Sequence, residues 1–162
     1  MPYLPGVLNL FEDAQNGQKD KMIELLITKC IHDKGYHGAG WAAEAVSQNV
    51  EMRTQLVEYL SNNIDQPEVL LSVFNLIVDR NSSEYFTKEE YNLISQLLFT
   101  NWSNFISRSF IDVEKNNSLI YQIQVVITDT DYIEDSVFSE EQFNELMNVY
   151  NYGIQCLINS LL

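Results

Sequence analysis

Two seven-residue stretches, FTKEEYN at 86–92 and FSEEQFN at 138–144, repeat one helix-start pattern. In the first, Thr87 reads as an N-cap, Glu90 reaches back to complete a capping box, and Phe86 and Tyr91 take the two positions of a hydrophobic staple. Ser139, Gln142, Phe138 and Phe143 fill the same roles in the second. Helices are therefore predicted to begin at or near Lys88 and Glu140. The repetition extends upstream, where VLLSVFNLIVD (69–79) lies over LIYQIQVVITD (119–129) with Val73 on Ile123, Ile77 on Ile127 and Asp79 on Asp129. IELLITKCIHD (23–33) is a fainter copy. Each apolar segment is followed by a polar loop and an amphipathic helix. The predicted fold is one all-α domain over residues 1–162, built as three stacked helical hairpins at about 19–64, 67–107 and 112–162 in the manner of a short HEAT-like α-solenoid.

Periodicity fills in the elements. The second helix of the first hairpin reads as two pieces, 41–48 and 51–63, the latter with Met52, Leu56, Tyr59, Leu60 and Ile64 at helical spacing. Pro67 suits a helix first turn. Phe143, Leu146, Met147, Tyr150, Ile154, Leu157, Ile158 and Leu161 line one side of the last helix, a stripe expected to be buried, with Gly153 marking close packing. Residues 118–129 also admit a strand, because Gln122 and Gln124 alternate with β-branched neighbours. Their correspondence with 69–79 favours a helix.

The stretch CIHDKGYHGAGWAAEAV (30–46) holds both histidines and invites a catalytic reading. An HD-type metal hydrolase needs a further histidine from an earlier helix, and no histidine precedes His32. GYHGAG lacks the order of a phosphate-binding loop. The glycines read instead as a turn between helices, with Gly35 as a left-handed terminator, Gly38 and Gly40 turning the chain, and Trp41 folded back over the hairpin. Tyr36, His37 and Trp41 form a secondary candidate binding loop. Cys30 and Cys156 sit in apolar helices and read as free buried thiols, and Glu89-Glu90 and Glu140-Glu141 lie in first helical turns, where the helix dipole favours carboxylates. No catalytic, cofactor or metal residue is assigned, and the chain reads as a non-enzyme without cofactor.

Charge carries the functional reading. The 162 residues bear 23 acids against 9 bases, a net charge of −14, and after residue 108 nine acids face one base, Lys115. Nucleic acid and anionic membranes are poor partners for such a chain. MPYLPGVLNLFEDAQ, with no basic residue ahead of its apolar part, is not an export signal, and no apolar run is long enough for a membrane span, so a cytoplasmic protein, monomeric or weakly dimeric, is expected. The loop TDTDYIEDSVFSEE concentrates the acids. Asp129, Asp131, Glu134, Asp135, Glu140 and Glu141 would form a charged rim around Tyr132 and Ile133 as the anchors of a basic protein partner.

This small, helical, acidic chain resembles the immunity proteins of bacterial toxin systems, including helical ones from contact-dependent inhibition loci. The resemblance lies in overall character across the chain and transfers no binding residue. It implies a non-catalytic cytoplasmic protein that neutralises a basic toxin, such as a nuclease domain, by covering its active site with an acidic surface. A phage-encoded nucleic-acid mimic that inhibits a host defence protein, and a helical-repeat adaptor that holds a peptide, are the alternatives.

Overall fold

The computed structural model describes residues 16–79, 82–115, 117–128 and 137–162, and every regular element among them is a helix. The first, α1 (Asn16–Leu25), runs into a π-helical stretch, Leu26–His32, and on into α2 (Asp33–Ser47). Then come α3 (Val50–Asn62), α4 (Pro67–Val78), the single turn α5 (Ser82–Tyr85) and α6 (Lys88–Thr100), followed by α7 (Trp102–Asp112), α8 (Asn117–Thr128) and α9 (Glu140–Leu161). They form two compact units, one ending at Thr100 and the other spanning Asn101–Leu162.

Helix starts lie where the capping residues put them. The Glu90 amide donates to Thr87 Oγ1 at 3.1 Å while the Thr87 amide donates to Glu90 Oε1 at 2.8 Å. Ser139 and Gln142 exchange the same pair of bonds at 3.2 and 2.9 Å, and the Phe138 and Phe143 rings meet edge-on with centroids 5.9 Å apart. Asn49 caps α3 through the Met52 amide, and Pro67 opens α4. The ambiguous stretch 118–129 is helical through Thr128, and Asp129 falls outside the described residues.

In the first unit α4 is central, because it is apolar on every side and a helix of that kind has no face to give to water. Each of its residues from Val69 to Val78 is buried, and it packs against the π-helical stretch, α2, α3 and α6. The polar Asn75 in this run has a use: its Nδ2 donates to the Ile31 carbonyl at 3.4 Å, at the end of the π-helical stretch. Arg53 ties three segments together. It donates to the Ser47 carbonyl at 2.7 Å and to Glu90 at 3.0 Å, so the same carboxylate that caps α6 also anchors α3.

The glycine-rich stretch departs from the sequence reading. A multi-residue turn through Gly38 and Gly40 is expected, yet the chain bends at one residue, Gly35 (φ 67°, ψ −148°), and is helical again through Ser47. Gly35 has a positive φ as anticipated, a conformation that costs other residues far more. Gly38 and Gly40 lie inside the helix. A side chain at Gly40 would overlap the Asp79 carboxylate, so the absent Cβ serves close packing and not a turn. The two pieces expected at 41–48 and 51–63 are real elements, the first of them starting earlier.

In the second unit α9 packs on α7 and α8. A Cβ at Gly153 would meet Ile120 Cγ1 at 2.8 Å and Val113 Cβ at 3.1 Å, so this glycine does mark a close approach. The expected burial of the whole α9 stripe is corrected. Leu146, Val149 and Gly153 are buried, Phe143, Tyr150, Ile154 and Leu157 are half-buried, and Met147, Ile158 and Leu161 are exposed. The apolar arc of α9 is wider than its two neighbours cover.

Candidate functional site

Six of the eight residues expected to meet a partner, Asp129, Asp131, Tyr132, Ile133, Glu134 and Asp135, lie outside the described residues. Glu140 and Glu141 are exposed in the first turn of α9, held there by the Ser139–Gln142 box. At that position the positive end of the helix dipole stabilises both carboxylates without any partner, and leaves them accessible to one.

The remaining described acids after residue 108 are less available than their number suggests. Asp112 accepts from Arg108 at 3.2 Å, Glu145 accepts from the Trp102 indole at 3.1 Å, and Glu114 accepts from the Tyr152 hydroxyl. That last bond, together with desolvation and a further bond to Cys156, pushes the Tyr152 phenol up to about 12. Each of these three carboxylates thus has a partner within its own unit. In the first unit Lys19 takes Glu51 at 2.9 Å and Arg53 takes Glu90, so two of its bases are held in intramolecular pairs.

The secondary candidates are on α2 and not on a loop. His37 is exposed and Trp41, one helical turn on, is 38% exposed, while nothing is described of the Tyr36 side chain. Most of the Trp41 side chain is covered and one part of it stays open to solvent. The His32-Asp33 pair is split between environments: Asp33 is exposed, and His32 is half-buried with a buried Nδ1 that has no hydrogen-bond partner. Cys30 donates to the Gly38 carbonyl at 3.2 Å, and both cysteines are thiols outside any disulfide, half-buried where full burial was expected. Among the described residues no three His, Cys, Asp or Glu side chains are placed to hold a metal ion. No helix among them is long and apolar enough to cross a membrane.

The structure adds an acidic cluster that sequence reasoning missed. Glu44, Glu84 and Asp79 lie near enough to the half-buried Tyr85 to raise its phenol, after desolvation, which is the larger cause. Glu44 lies four residues beyond Gly40 and so on the same side of α2, the side that meets Asp79. Trp41 stands at its edge, three residues before Glu44. The signal was present in the i, i+3 and i, i+4 spacing of Gly40, Trp41 and Glu44, but it becomes legible only when 36–47 is known to be helical. Chemically, an exposed indole beside carboxylates suits a lysine or arginine side chain, by ion pairing and by cation–π contact.

No protein-family model matches the chain, and comparison with curated proteins and with solved structures returned no match.

Proposed function

We propose that the chain is a non-catalytic binding protein that neutralises a basic protein partner, a toxin domain of the nuclease kind, by covering it with an acidic surface. The observation that carries this reading is the charge: a net −14, nine acids to one base after residue 108, and Glu140 and Glu141 exposed at a pinned helix start. The Trp41–Glu44 edge is a second contact of the same chemistry. The scaffold in this proposal is the three-hairpin, solenoid-like stacking, and the setting is the bacterial cytoplasm. Opposite charge would steer association well above the roughly 10⁶ per molar per second of neutral pairs. A nucleic-acid mimic calls for a regular row of carboxylates along one face; Glu90 is drawn in from the surface by Arg53, which favours the protein-partner reading.

The test begins with co-expression of the chain with the terminal domain of any large exported protein encoded in the adjacent reading frame. Rescue of growth is the expected outcome. Replacing Asp131, Glu134 and Asp135 together by Asn or Gln should slow association and flatten its salt dependence, and Tyr132→Ala should shorten the complex lifetime, both read by surface-immobilised kinetics. No rescue, with no complex formed, removes the proposal. An unchanged association rate in the triple variant, with binding lost in Trp41→Ala, moves the interface to α2.

A further inference from the structure

We propose that α9 is a self-association surface through which two copies of the chain pair, with their helices antiparallel. The face of α9 that packs within its own unit is Leu146, Val149 and Gly153. About 100° further round the helix, the rotation of a single residue, runs a second apolar stripe: Phe143, Met147, Ile154 and Ile158. Met147 is 41% and Ile158 46% exposed, and Phe143 and Ile154 are half-buried. Their spacing of four, seven and four residues keeps them on one line along the helix, as in helices that meet another helix.

Charge chooses the occupant. From Leu146 to Leu162 there is no Asp, Glu, Lys or Arg, in a chain that is 20% charged. The stripe is bordered by exposed amides, Asn144, Asn148, Asn151 and Gln155, which both donate and accept. A basic partner would find no counter-charge here. A second copy, repelled by a net charge of −14 over most of its surface, meets no like charge along this stripe from Met147 onward. An isologous two-fold contact needs a patch that complements itself, and an apolar line flanked by amides does.

Orientation follows from Glu140, the one acid in line with the stripe. Parallel helices would set the two Glu140 side chains about one helix diameter, roughly 10 Å, apart. In the antiparallel pair, with Met147 of each copy against Ile158 of the other, they stand about 38 Å apart at 1.5 Å per residue, several Debye lengths at physiological salt. A stripe about 23 Å long and one helix wide buries less than the roughly 1,200 Å² of a standard stable interface. The pairing is therefore weak and concentration dependent.

Sedimentation of the full chain from micromolar to near-millimolar concentration, at low and at physiological ionic strength, tests this. The expected result is a mass that rises towards the dimer with concentration, and more readily at the higher salt, because screening relieves the repulsion between two acidic copies. Met147→Glu with Ile158→Glu, both at exposed positions, should leave the protein monomeric where the wild type is mostly dimer, with unchanged helicity and melting temperature. Gln96→Glu, exposed on α6 and adding the same charge away from α9, should associate much as the wild type does. The proposal is overturned by a wild type that stays monomeric throughout, by a double variant that still dimerises, or by equal loss in Gln96→Glu. It is also overturned if the double variant melts markedly earlier, which would mean that the stripe is covered from within the chain.

Discussion

Tyr152 shows how much one side chain's surroundings change its chemistry here. Its hydroxyl donates to Glu114, its ring meets Phe110 edge-on with centroids 5.5 Å apart, and its phenol titrates near 12 in place of 10.0. A raised pKa means that the folded state favours the protonated phenol. The resulting stabilisation is complete below pH 10.0 and is lost as the pH climbs towards about 12. Replacing Glu114 by Ala removes the largest cause, so the Tyr152 tyrosinate absorbance should appear at distinctly lower pH than in the wild type. An unchanged alkaline titration would show that Glu114 does not hold the hydroxyl in solution.

At the scale of the element, the two capping boxes look alike in sequence and differ in what depends on them. Thr87→Ala and Ser139→Ala should each lower stability by about 1 kcal/mol through the lost cap. The third-position residues should separate. Glu90 both closes its box and pairs with Arg53, with side chains only 12% and 16% exposed, whereas Gln142 closes its box alone. Glu90→Ala leaves a mostly buried guanidinium without its carboxylate, and losing a charged partner from a buried site costs more than losing a neutral one. Glu90→Ala is accordingly expected to cost clearly more than Gln142→Ala in chemical denaturation. Equal costs would mean that the Arg53 pair contributes nothing measurable.

Over the whole molecule, repulsion among like charges outweighs the attractions between opposite ones. With 23 acids and 9 bases, pairs such as Lys19–Glu51, Lys21–Glu24, Arg53–Glu90 and Arg108–Asp112 neutralise only a minority of the carboxylates. Added salt weakens those few attractions and screens many repulsions, so the melting temperature at neutral pH should rise as ionic strength goes from low to physiological. A fall would mean that the ion pairs outweigh the net charge. Salt should act oppositely on the two proposed contacts, weakening the one with a basic partner and strengthening the one between copies.

The elements that were legible in advance depend on neighbours in the chain. Thr87 and Ser139 meet amides three residues away, Pro67 acts on its own turn, and Gly35 bends its own backbone; these relations hold before any tertiary contact forms. Sequence reasoning also located Gly153 as a point of close approach and favoured a helix over a strand for 118–129, which is helical through Thr128. What only the folded chain decided are relations between distant residues: that Gly40 yields space to Asp79, that Glu44 and Asp79 come near enough to Tyr85 to act on its phenol, that Arg53 joins Ser47 to Glu90, and that Glu145 serves Trp102. The α9 stripe marks the boundary between the two kinds of knowledge. Periodicity shows that one side of that helix is apolar, but the portion removed from water is set by the width of the helices laid against it, and α7 and α8 reach Leu146, Val149 and Gly153 while leaving Met147 and Ile158 exposed.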